Sequence, residues 1–585
     1  MLREQRPVRV PARQSWSVWL RESPSGLAVL AVAIGAGAGL GAIVFRWLIE
    51  TFTHVFSGHT DYSAAGGEPH PWFTALGPWF VLIVPVLAGL IYGPLVQRFA
   101  PEARGHGVPE VMYAVAERGG RIPAQVTVVK ALASALTIGS GGSVGREGPI
   151  VQIGSALGST FGRRFRLPEG RLRVLVACGA AGGIAATFNA PMAGPFFAME
   201  LILRDFAVES FGAVVLASVT ASVVGRAVFG DVAFLDLPPF TLRNPVEYLL
   251  FIVLGVVVGA GGVLFTKVLY WIEDACDWVW RGPEWLRPAV GGLLLGGLLL
   301  VLPEMYGVGY PVLQNAVEGD YVFGFLLVLM IGKIVATSLT IGIGGSGGVF
   351  APSLFIGAMG GTAFGVVVHA WLPGMTASPG VYGLIGMGAA FAGAARAPIT
   401  AVIILFELTG QYTIILPLMT AIVVATLTGK ALLGPSTIYT LKLRRRGVDI
   451  DRRPGPLAGK RVSDVLEPLP APLPADTALR PAARALALSG HGILPVTGPD
   501  GRYQGCVTAR AVAEALTGDQ DENTGALAEL PPLVTGQSTL TEALDALTRA
   551  AGTGLPVLDR ESGTLTGWIS HEAILATVHT GQKGI

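Results

Sequence analysis

The sequence predicts a polytopic α-helical membrane protein with internal repeats and broken helices, followed by a smaller α/β domain. Of its 585 residues, 51% are hydrophobic and only 14% are charged, whereas soluble domains carry about 25% charged residues. Uncharged stretches long enough to cross about 30 Å of hydrocarbon recur before Tyr439. Beyond Tyr439 the chain is normally charged and alternates helical patterns with short strands.

Net charge and cysteine usage exclude several classes of protein. A net charge of +1 without long runs of like charge argues against nucleic acid as a partner. The three cysteines lie far apart without CxxC spacing, so neither a disulfide framework nor a metal site is predicted. The sequence has no HExxH motif and no nucleotide-binding GK[ST] loop, and we do not expect an enzyme.

Residues 1–24 are predicted to form a cytoplasmic N-terminal segment. They carry five arginines against two glutamates and do not match a cleavable signal peptide. Basic residues just before a first membrane span favour a cytoplasmic N-terminus.

Residues 25–440 are predicted to form the membrane domain. Four uncharged stretches predict simple membrane helices, at 27–45, 71–96, 248–266 and 408–429. The region 334–395 contains no Asp, Glu, Lys or Arg, yet GIGGSGG, Pro352 and LPGMTASPG interrupt it. Such interruptions are tolerated in a membrane only when they are buried in protein or line a cavity, so several short, broken helices are expected there.

The membrane domain contains an internal repeat. Residues 130–149 match residues 333–352 at 11 of 20 positions with a constant offset of 203. Pro191 precedes Glu200 by nine residues, and Pro398 precedes Glu407 by nine. We therefore expect two halves, at about 25–230 and 245–440, with a substrate site at their interface.

Each half has a glycine-rich loop directly before an apolar helical run, GSGGSVGREGP in the first and GIGGSGGVFAP in the second. A helix start leaves N–H groups free and carries roughly half a positive charge, which favours anions. The alternative to anion binding is that these glycines serve only the close packing of helices.

The basic segment LKLRRRGVDIDRRPG marks the end of the membrane domain. We assign 441–461 as a linker on the cytoplasmic side because of its arginines. The α/β domain at 462–579 is therefore expected in the cytoplasm, together with the C-terminus.

Four motifs of the membrane domain resemble those of the CLC chloride channel and transporter family. They are GHGVPE at 105–110, GREGP at 145–149, GVFAP at 348–352, and Tyr439 within STIYTLKLRRRG. The family's motifs read GxGIP, GxEGP and GxFxP. The resemblance implies a CLC-like fold of inverted halves with re-entrant helices. It also implies a homodimer in the plasma membrane, with a pathway for chloride or a similar small anion in each subunit.

The resemblance also implies roles for individual residues. Glu147 resembles the gating glutamate, whose carboxylate occupies an anion position and swings away to open the path; capping of the following helix is the alternative. The N–H groups of Val349 and Phe350 and the hydroxyl of Tyr439 would form the central anion site, although a Tyr near a membrane boundary can also be an interface anchor. The residues expected to bind the anion are His106, Gly107, Arg146, Gly148, Val349, Phe350 and Tyr439.

Two departures from the family pattern affect the mechanism. Leu201 stands where proton-coupled members carry a second glutamate, so we expect a channel-like or weakly proton-coupled protein. The alternative is a Cl⁻/H⁺ antiporter with Glu200 and His106 in the proton pathway; Glu200 and Glu407 can instead be helix-packing carboxylates. His106 stands where the family has Ser, or Pro in nitrate-preferring members, and this leaves the choice among chloride, nitrate and fluoride open.

The C-terminal domain resembles a tandem pair of CBS repeats, at about 462–517 and 526–579. Ala511 and Ala573 occupy the positions where an Asp often holds an adenine nucleotide. We therefore expect a structural or dimer-supporting module with weak or absent nucleotide binding, and no other cofactor. A more distant alternative is a divalent-cation transporter with CBS regulation, which would need clustered intramembrane carboxylates or carbonyl rings.

Overall fold

The chain is described as a computed structural model covering residues 16–230, 244–450, 457, 460–518, 522–550, 553–559 and 562–582. It divides into two compact units, one up to residue 450 and one beyond it. Most of the predicted N-terminal segment and part of the predicted linker lie outside the described residues.

The first unit is helical. Its α-helices are, in chain order, α1 Trp16–Glu22, α2 Pro24–Ser57, α3 Phe80–Phe99, α4 Val108–Glu117, α5 Gln125–Gly139, α6 Glu147–Arg164, α7 Glu169–Phe188, α8 Ala193–Phe197, α9 Val208–Phe229, α10 Glu247–Val279, α11 Arg287–Val301, α12 Tyr310–Glu318, α13 Phe323–Gly342, α14 Phe350–Trp371, α15 Pro379–Ala395, α16 Pro398–Thr409, α17 Ile415–Leu433 and α18 Thr440–Arg445. A π-helical turn, Ala198–Leu203, continues α8.

Eight helical segments among the described residues are long and apolar enough to cross a membrane. They are Pro24–Ser57, Thr74–Phe99, Glu169–Phe188, Val208–Phe229, Glu247–Val279, Phe323–Gly342, Phe350–Trp371 and Tyr412–Leu433. Each of these segments has the length and apolar composition needed to span the hydrocarbon core of a bilayer, and together they confirm a multi-pass membrane protein. Shorter apolar helices, such as α5, α11 and α15, lie between them.

Reciprocal contacts relate the two halves by an approximate twofold axis. The Ser143 N–H donates to Thr340 Oγ1 at 3.2 Å, and the Ser346 N–H donates to Thr137 Oγ1 at 3.3 Å. Ser346 is the repeat equivalent of Ser143, and Thr137 is the repeat equivalent of Thr340, each at the offset of 203. When residue i contacts j and the equivalent of j contacts the equivalent of i, a twofold relation is present. The predicted repeat architecture with broken helices is thus confirmed.

Several helix boundaries differ from those predicted. Pro352 does not interrupt a helix, because it lies in the first turn of α14, where its missing N–H is not needed. The stretch 408–429 is not one helix: α16 ends at Thr409, and Gly410 takes a left-handed conformation with φ of 63° before α17 begins. In the stretch 71–96, the α-helix begins only at Phe80.

The region 334–395 is broken where its glycine and proline loops predict. Its helices α13, α14 and α15 contain 20, 22 and 17 residues, so they are longer than the short pieces expected. The loop between α13 and α14 carries the second glycine-rich motif to the middle of the unit, where it meets the first.

The second unit consists of two similar α/β halves. The first half contains β1 Leu473–Pro474, α19 Leu479–Ser489, β2 Ile493–Thr497, β3 Tyr503–Thr508 and α20 Ala509–Thr517. The second half contains β4 Val534–Thr535, α21 Leu540–Arg549, β5 Gly554–Leu558, β6 Leu565–Ser570 and α22 His571–Gln582. In each half the first two strands pair parallel and the last two antiparallel, with the same irregularity in the hairpin. This arrangement is consistent with a CBS pair.

Candidate functional site

Three glycine-rich loops meet in the interior of the membrane unit, directly before α4, α6 and α14. The N–H of Gly145 donates to the carbonyl of Gly348 at 2.8 Å, and the N–H of Gly348 returns a bond to Gly145 at 2.6 Å. These two residues are equivalent in the repeat, so the twofold axis passes between them. Gly105 joins the group through its N–H, which donates to Gly345 at 3.2 Å, and its carbonyl, which accepts from Gly347 at 3.3 Å.

Gly148 lies where the first turn of α6 passes against the loop before α4. A Cβ at this position would collide with the carbonyl oxygen of His106 and would lie 3.0 Å from Cα of Gly348. Both neighbours are backbone atoms and cannot rotate away. Glycine at this position therefore permits the three loops to approach one another.

This arrangement gathers the N-terminal ends of three helices in one buried region. The first turns of α4, α6 and α14 contain N–H groups without an intrahelical acceptor, and each helix start carries a partial positive charge. Val349 and Phe350 are almost fully buried at the start of α14. A small anion is the ligand that such a region favours.

Glu147 is the first residue of α6, and its side chain is 1% exposed. Its Oε1 accepts a hydrogen bond from the hydroxyl of Tyr310 at 2.7 Å. Its Oε2 accepts one from the N–H of Ala351, in the first turn of α14, at 3.4 Å. The carboxylate therefore crosses from one half of the repeat to the helix start of the other, where an inorganic anion would otherwise be favoured.

Tyr310 is a site residue that the sequence analysis did not identify. It begins α12, and the guanidinium carbon of Arg146 lies 5.3 Å from the centre of its ring. Tyr310 belongs to GVGYPV at 307–312, which corresponds to GHGVPE at 105–110 with an offset of 202 rather than 203. Extending the repeat comparison across this one-residue shift would have found it.

His106 lies in the loop before α4 and is 1% exposed. Its ring packs edge-on against Tyr270, with 6.1 Å between ring centres, and the hydroxyl of Tyr270 donates to the carbonyl of Ile438 at 2.8 Å. Within the described part of the chain, neither ring nitrogen of His106 has a hydrogen-bond partner. Buried polar atoms normally have partners, and such an exception is typical of a ligand site.

Tyr439 is the residue before α18 and is also 1% exposed. Its N–H donates to Thr437 Oγ1 at 3.3 Å, and the N–H of Ile438 donates to the carbonyl of Ala394 at 2.9 Å. These bonds fix the turn that carries Tyr439. The preceding residue, Ile438, is the one whose carbonyl accepts the hydrogen bond from Tyr270. Tyr439 is therefore a buried residue and not an interface anchor.

A cavity of about 490 Å³ lies on the side of the unit where α2 ends. Arg146 and Tyr310 line it at its inner end, together with Phe188, whose ring lies 5.6 Å from that of Phe350. Its wall contains three arginines, Arg46, Arg146 and Arg226, and two carboxylates, Glu50 and Asp61. Arg46 pairs with Glu50 at 2.8 Å. The cavity therefore adjoins Arg146 and Tyr310, the two residues that flank Glu147.

Glu200 and Glu407 lie away from this cluster and form reciprocal contacts with helix starts. Glu200 accepts hydrogen bonds from the N–H groups of Ile399 and Thr400 at 3.2 and 2.8 Å, in the first turn of α16. Glu407 accepts from the N–H groups of Met192 and Ala193 at 2.8 and 2.6 Å. These are the contacts of a carboxylate that holds two halves together.

Leu201 follows Glu200 within the π-helical turn and is buried. Its side chain has no group that can bind a proton. The π-helical turn therefore presents a single carboxylate, and that carboxylate is engaged by α16.

The fold is that of a membrane protein of two inverted halves, whose glycine-rich loops and helix starts meet in a buried region at their interface. A family model described as voltage gated chloride channel matches residues 88–430. The chain belongs to this family, the CLC family, and is a CLC anion transport protein.

Sequence relatives cover most of the chain. A putative chloride channel protein, ClcB-like, from Ralstonia nicotianae is 34% identical over 432 residues, which are 73% of this chain and 99% of the relative. An H⁺/Cl⁻ exchange transporter, ClcA, from Vibrio cholerae serotype O1 is 36% identical over 436 residues, covering 72% of this chain and 90% of that one.

Solved structures show the same fold. A slow cyanobacterial Cl⁻/H⁺ antiporter matches with a TM-score of 0.65 and 26% identity, over 73% of this chain and 99% of its own. A eukaryotic CLC transporter matches over 96% of this chain and 99% of its own, with a TM-score of 0.61 and 21% identity. The second match extends the likeness in fold into the C-terminal unit.

Proposed function

We propose that this protein moves chloride or a similar small inorganic anion across the plasma membrane, through one pathway in each subunit of a homodimer, and that Glu147 gates the pathway. The observation that carries the proposal is the hydrogen bond from the N–H of Ala351 to the Glu147 carboxylate. A carboxylate at a helix start takes the place that a free anion would have. When it moves aside or takes up a proton, an inorganic anion can replace it.

The proposed anion path runs from the cavity beside Arg146 past Glu147 to the region of His106 and Tyr439. Backbone N–H groups at the loops and helix starts supply donors without fixed counter-charges, which suits an ion that must bind and leave. We assign the anion-binding role to His106, Gly107, Arg146, Gly148, Val349, Phe350 and Tyr439.

Proton coupling is proposed to be weak, because Leu201 provides no carboxylate at the second position. The second candidate function is Cl⁻/H⁺ exchange, with Glu200 and His106 in the proton pathway. The names of the Vibrio cholerae relative and of the cyanobacterial neighbour favour exchange at least as well as a channel-like mechanism. In the structure, Glu200 is held by the first turn of α16, and this favours weak coupling.

Proteoliposomes separate the two candidates. Vesicles that contain the purified protein are given a chloride gradient, and chloride efflux and external pH are recorded together. We expect protein-dependent chloride efflux with little proton movement against a pH gradient. Robust uphill proton movement at a fixed ratio to chloride would establish exchange, and an absence of protein-dependent efflux would contradict both candidates.

His106 is proposed to influence which anion is carried. Neutral imidazole donates one hydrogen bond and protonated imidazole two, so protonation of His106 strengthens anion binding. Burial and the nearby positive charges oppose that protonation, so the strengthening is expected only at low pH. We expect His106→Ser to move preference towards chloride over nitrate by a few-fold, since one hydrogen bond is worth about 1 kcal/mol. We also expect it to remove any pH dependence of flux that persists in a Glu147→Gln background.

The His106 prediction is checked by efflux in chloride and in nitrate, with the single and double variants compared. Lys130, Lys442 and Arg446 provide positive charge near this loop. Lys130 binds the carbonyl of Gly105, the Lys442 ammonium would lie 3.1 Å from a Cβ at Gly105, and Arg446 pairs with Glu110. Unchanged selectivity and unchanged pH response in both variants would assign His106 a space-filling role.

For the C-terminal unit we propose a cytoplasmic CBS module with weak or absent adenine nucleotide binding. Ala511 and Ala573 lie in the first turns of α20 and α22, where neither can hold ribose hydroxyls. Calorimetry of the full chain with ATP checks this proposal, and micromolar affinity would contradict it. The cytoplasmic location of both termini rests on the arginines that flank the membrane domain.

A further inference from the structure

Two buried lysines occupy equivalent positions in the repeat, Lys130 in α5 and Lys333 in α13, and both are 0% exposed. The ammonium of Lys130 donates to the carbonyls of Ala103 and Gly105, each at 2.8 Å. The ammonium of Lys333 donates to the carbonyls of Gly307 and Val308 at 3.1 and 2.8 Å. Burying an ammonium among neutral acceptors costs free energy. The burial of a lysine at both equivalent positions of the repeat therefore calls for a structural explanation.

Lys333 makes a third contact that reaches the other half of the repeat. Its Nζ donates to Ser143 Oγ at 2.9 Å, so the three N–H bonds of the ammonium have three acceptors. One turn further along α13, the hydroxyl of Thr337 donates to the carbonyl of Ser143 at 2.7 Å. The ring of Phe355 lies 4.9 Å from the ammonium.

The two loops that Lys333 joins lead directly to the gate contact. Val308 is two residues before Tyr310, and Ser143 is four residues before Glu147. The hydroxyl of Tyr310 and the carboxylate of Glu147 are 2.7 Å apart. A single ammonium therefore links the backbone before Tyr310 to the Ser143 side chain before Glu147, on the two sides of the hydrogen bond that holds the carboxylate.

We propose that Lys333 is a positioning residue of the anion pathway: it holds the 307–309 loop against the Ser143 loop, so that Tyr310 stays within hydrogen-bond distance of Glu147. The proposal rests on the proposed gating role of Glu147. Lys130 holds the equivalent loop of the other half but contacts neither Tyr310 nor Ser143.

The consequence is a change in how readily the gate carboxylate becomes neutral. A hydrogen bond donated to a carboxylate favours its charged form. The groups that act on Glu147 are Arg146 beside it, Tyr310 from α12, the Ala351 N–H from α14, and the more distant Lys333 ammonium and Tyr439 hydroxyl. When the Tyr310 bond is lost, the carboxylate takes up a proton at a higher external pH, so the pathway opens at a higher pH.

The test is the dependence of chloride flux on external pH in proteoliposomes of the full chain. We expect Lys333→Met and Tyr310→Phe each to move the midpoint of the flux curve upward by about one pH unit, since a hydrogen bond to a charged group is worth roughly that much. Because both act through the same contact, the double variant should show the shift of one, not the sum. Lys130→Met removes the other buried ammonium, and because Lys130 contacts neither Tyr310 nor Ser143, it should shift the midpoint less than Lys333→Met does.

Three outcomes would overturn the proposal: an unchanged midpoint in Lys333→Met, a shift of equal size in Lys130→Met, or additive shifts in the double variant. If Lys333→Met does not fold, Ser143→Ala removes one of the three acceptors, and the proposal requires a smaller upward shift that is absent in a Tyr310→Phe background. A Glu147→Gln variant distinguishes the two levels of failure. Wild-type pH dependence in that variant defeats the gate itself, whereas its loss together with an inert Lys333→Met defeats only the positioning role.

Discussion

Glu147→Gln is expected to leave chloride flux almost independent of pH. In the wild-type protein the flux should rise as pH falls, because a protonated carboxyl no longer competes with the anion at the start of α14. A carboxyl group changes its ratio of charged to neutral forms tenfold per pH unit, whereas the amide does not titrate. Any remaining dependence should be small and should depend on His106. Chloride efflux from proteoliposomes between about pH 4.5 and 7.5 measures the effect.

Glu247 provides a matched control for this variant. It is as deeply buried as Glu147, and it likewise accepts hydrogen bonds from a backbone N–H, of Ala377 at 2.9 Å, and a tyrosine hydroxyl, of Tyr382 at 3.1 Å. Glu247 begins α10, and these two partners lie just before α15 and in its first turn, away from the glycine loops. Glu247→Gln should keep the pH dependence of the wild-type protein, and a pH response in Glu147→Gln equal to that of the control would remove Glu147 from the gate.

Gly148→Ala is expected to abolish most of the transport activity. The added Cβ would collide with the carbonyl of His106 and press on Cα of Gly348, so the three glycine loops could not keep their spacing. Overpacking in a core costs about 1–3 kcal/mol, and here the strain falls on the backbone that lines the proposed anion path. Because alanine favours a helix over glycine by about 1 kcal/mol, a loss of activity at this helical position would be steric in origin.

The control for this substitution is Gly261→Ala in α10. A Cβ at Gly261 meets no atom within 4 Å, so the change tests alanine in a membrane helix without a collision. We expect flux within about twofold of wild type for Gly261→Ala, because surface changes usually cost less than 0.5 kcal/mol. We expect a fall of at least about tenfold for Gly148→Ala, which corresponds to 1.4 kcal/mol or more. Equal activities would show that the loop spacing is not required.

The parts of the site that the sequence predicted are those encoded locally. Glu147 and the starts of α6 and α14 follow from two glycine-rich loops that recur at one offset, and a helix start favours an anion whatever surrounds it. Tyr310 was missed because its contact with Glu147 joins residues far apart in the chain and in different halves. The one-residue change in offset hid its loop from a comparison without gaps.

The errors in helix boundaries have a different physical origin. Apolar composition does not reveal a left-handed residue such as Gly410, which ends α16 inside the uncharged stretch 408–429. Pro352 was interpreted as a break because a proline disrupts a helix interior, but it is tolerated in the first turn. To tell a proline in the first turn from one in the helix interior, the exact start of α14 must be known. That start follows the loop at Gly348, which is held by hydrogen bonds to Gly145 in the other half.

The most direct test of the account is to locate the anion in the Glu147→Gln variant. Crystals of the wild-type protein and of the variant are soaked in bromide, and anomalous scattering identifies the ion. We expect a bromide within hydrogen-bond distance of the Ala351 N–H in the variant, and the Glu147 carboxylate at that position in the wild-type protein. A bromide beside Ala351 in both proteins, or in neither, would contradict the claim that the carboxylate and the transported anion compete for the start of α14.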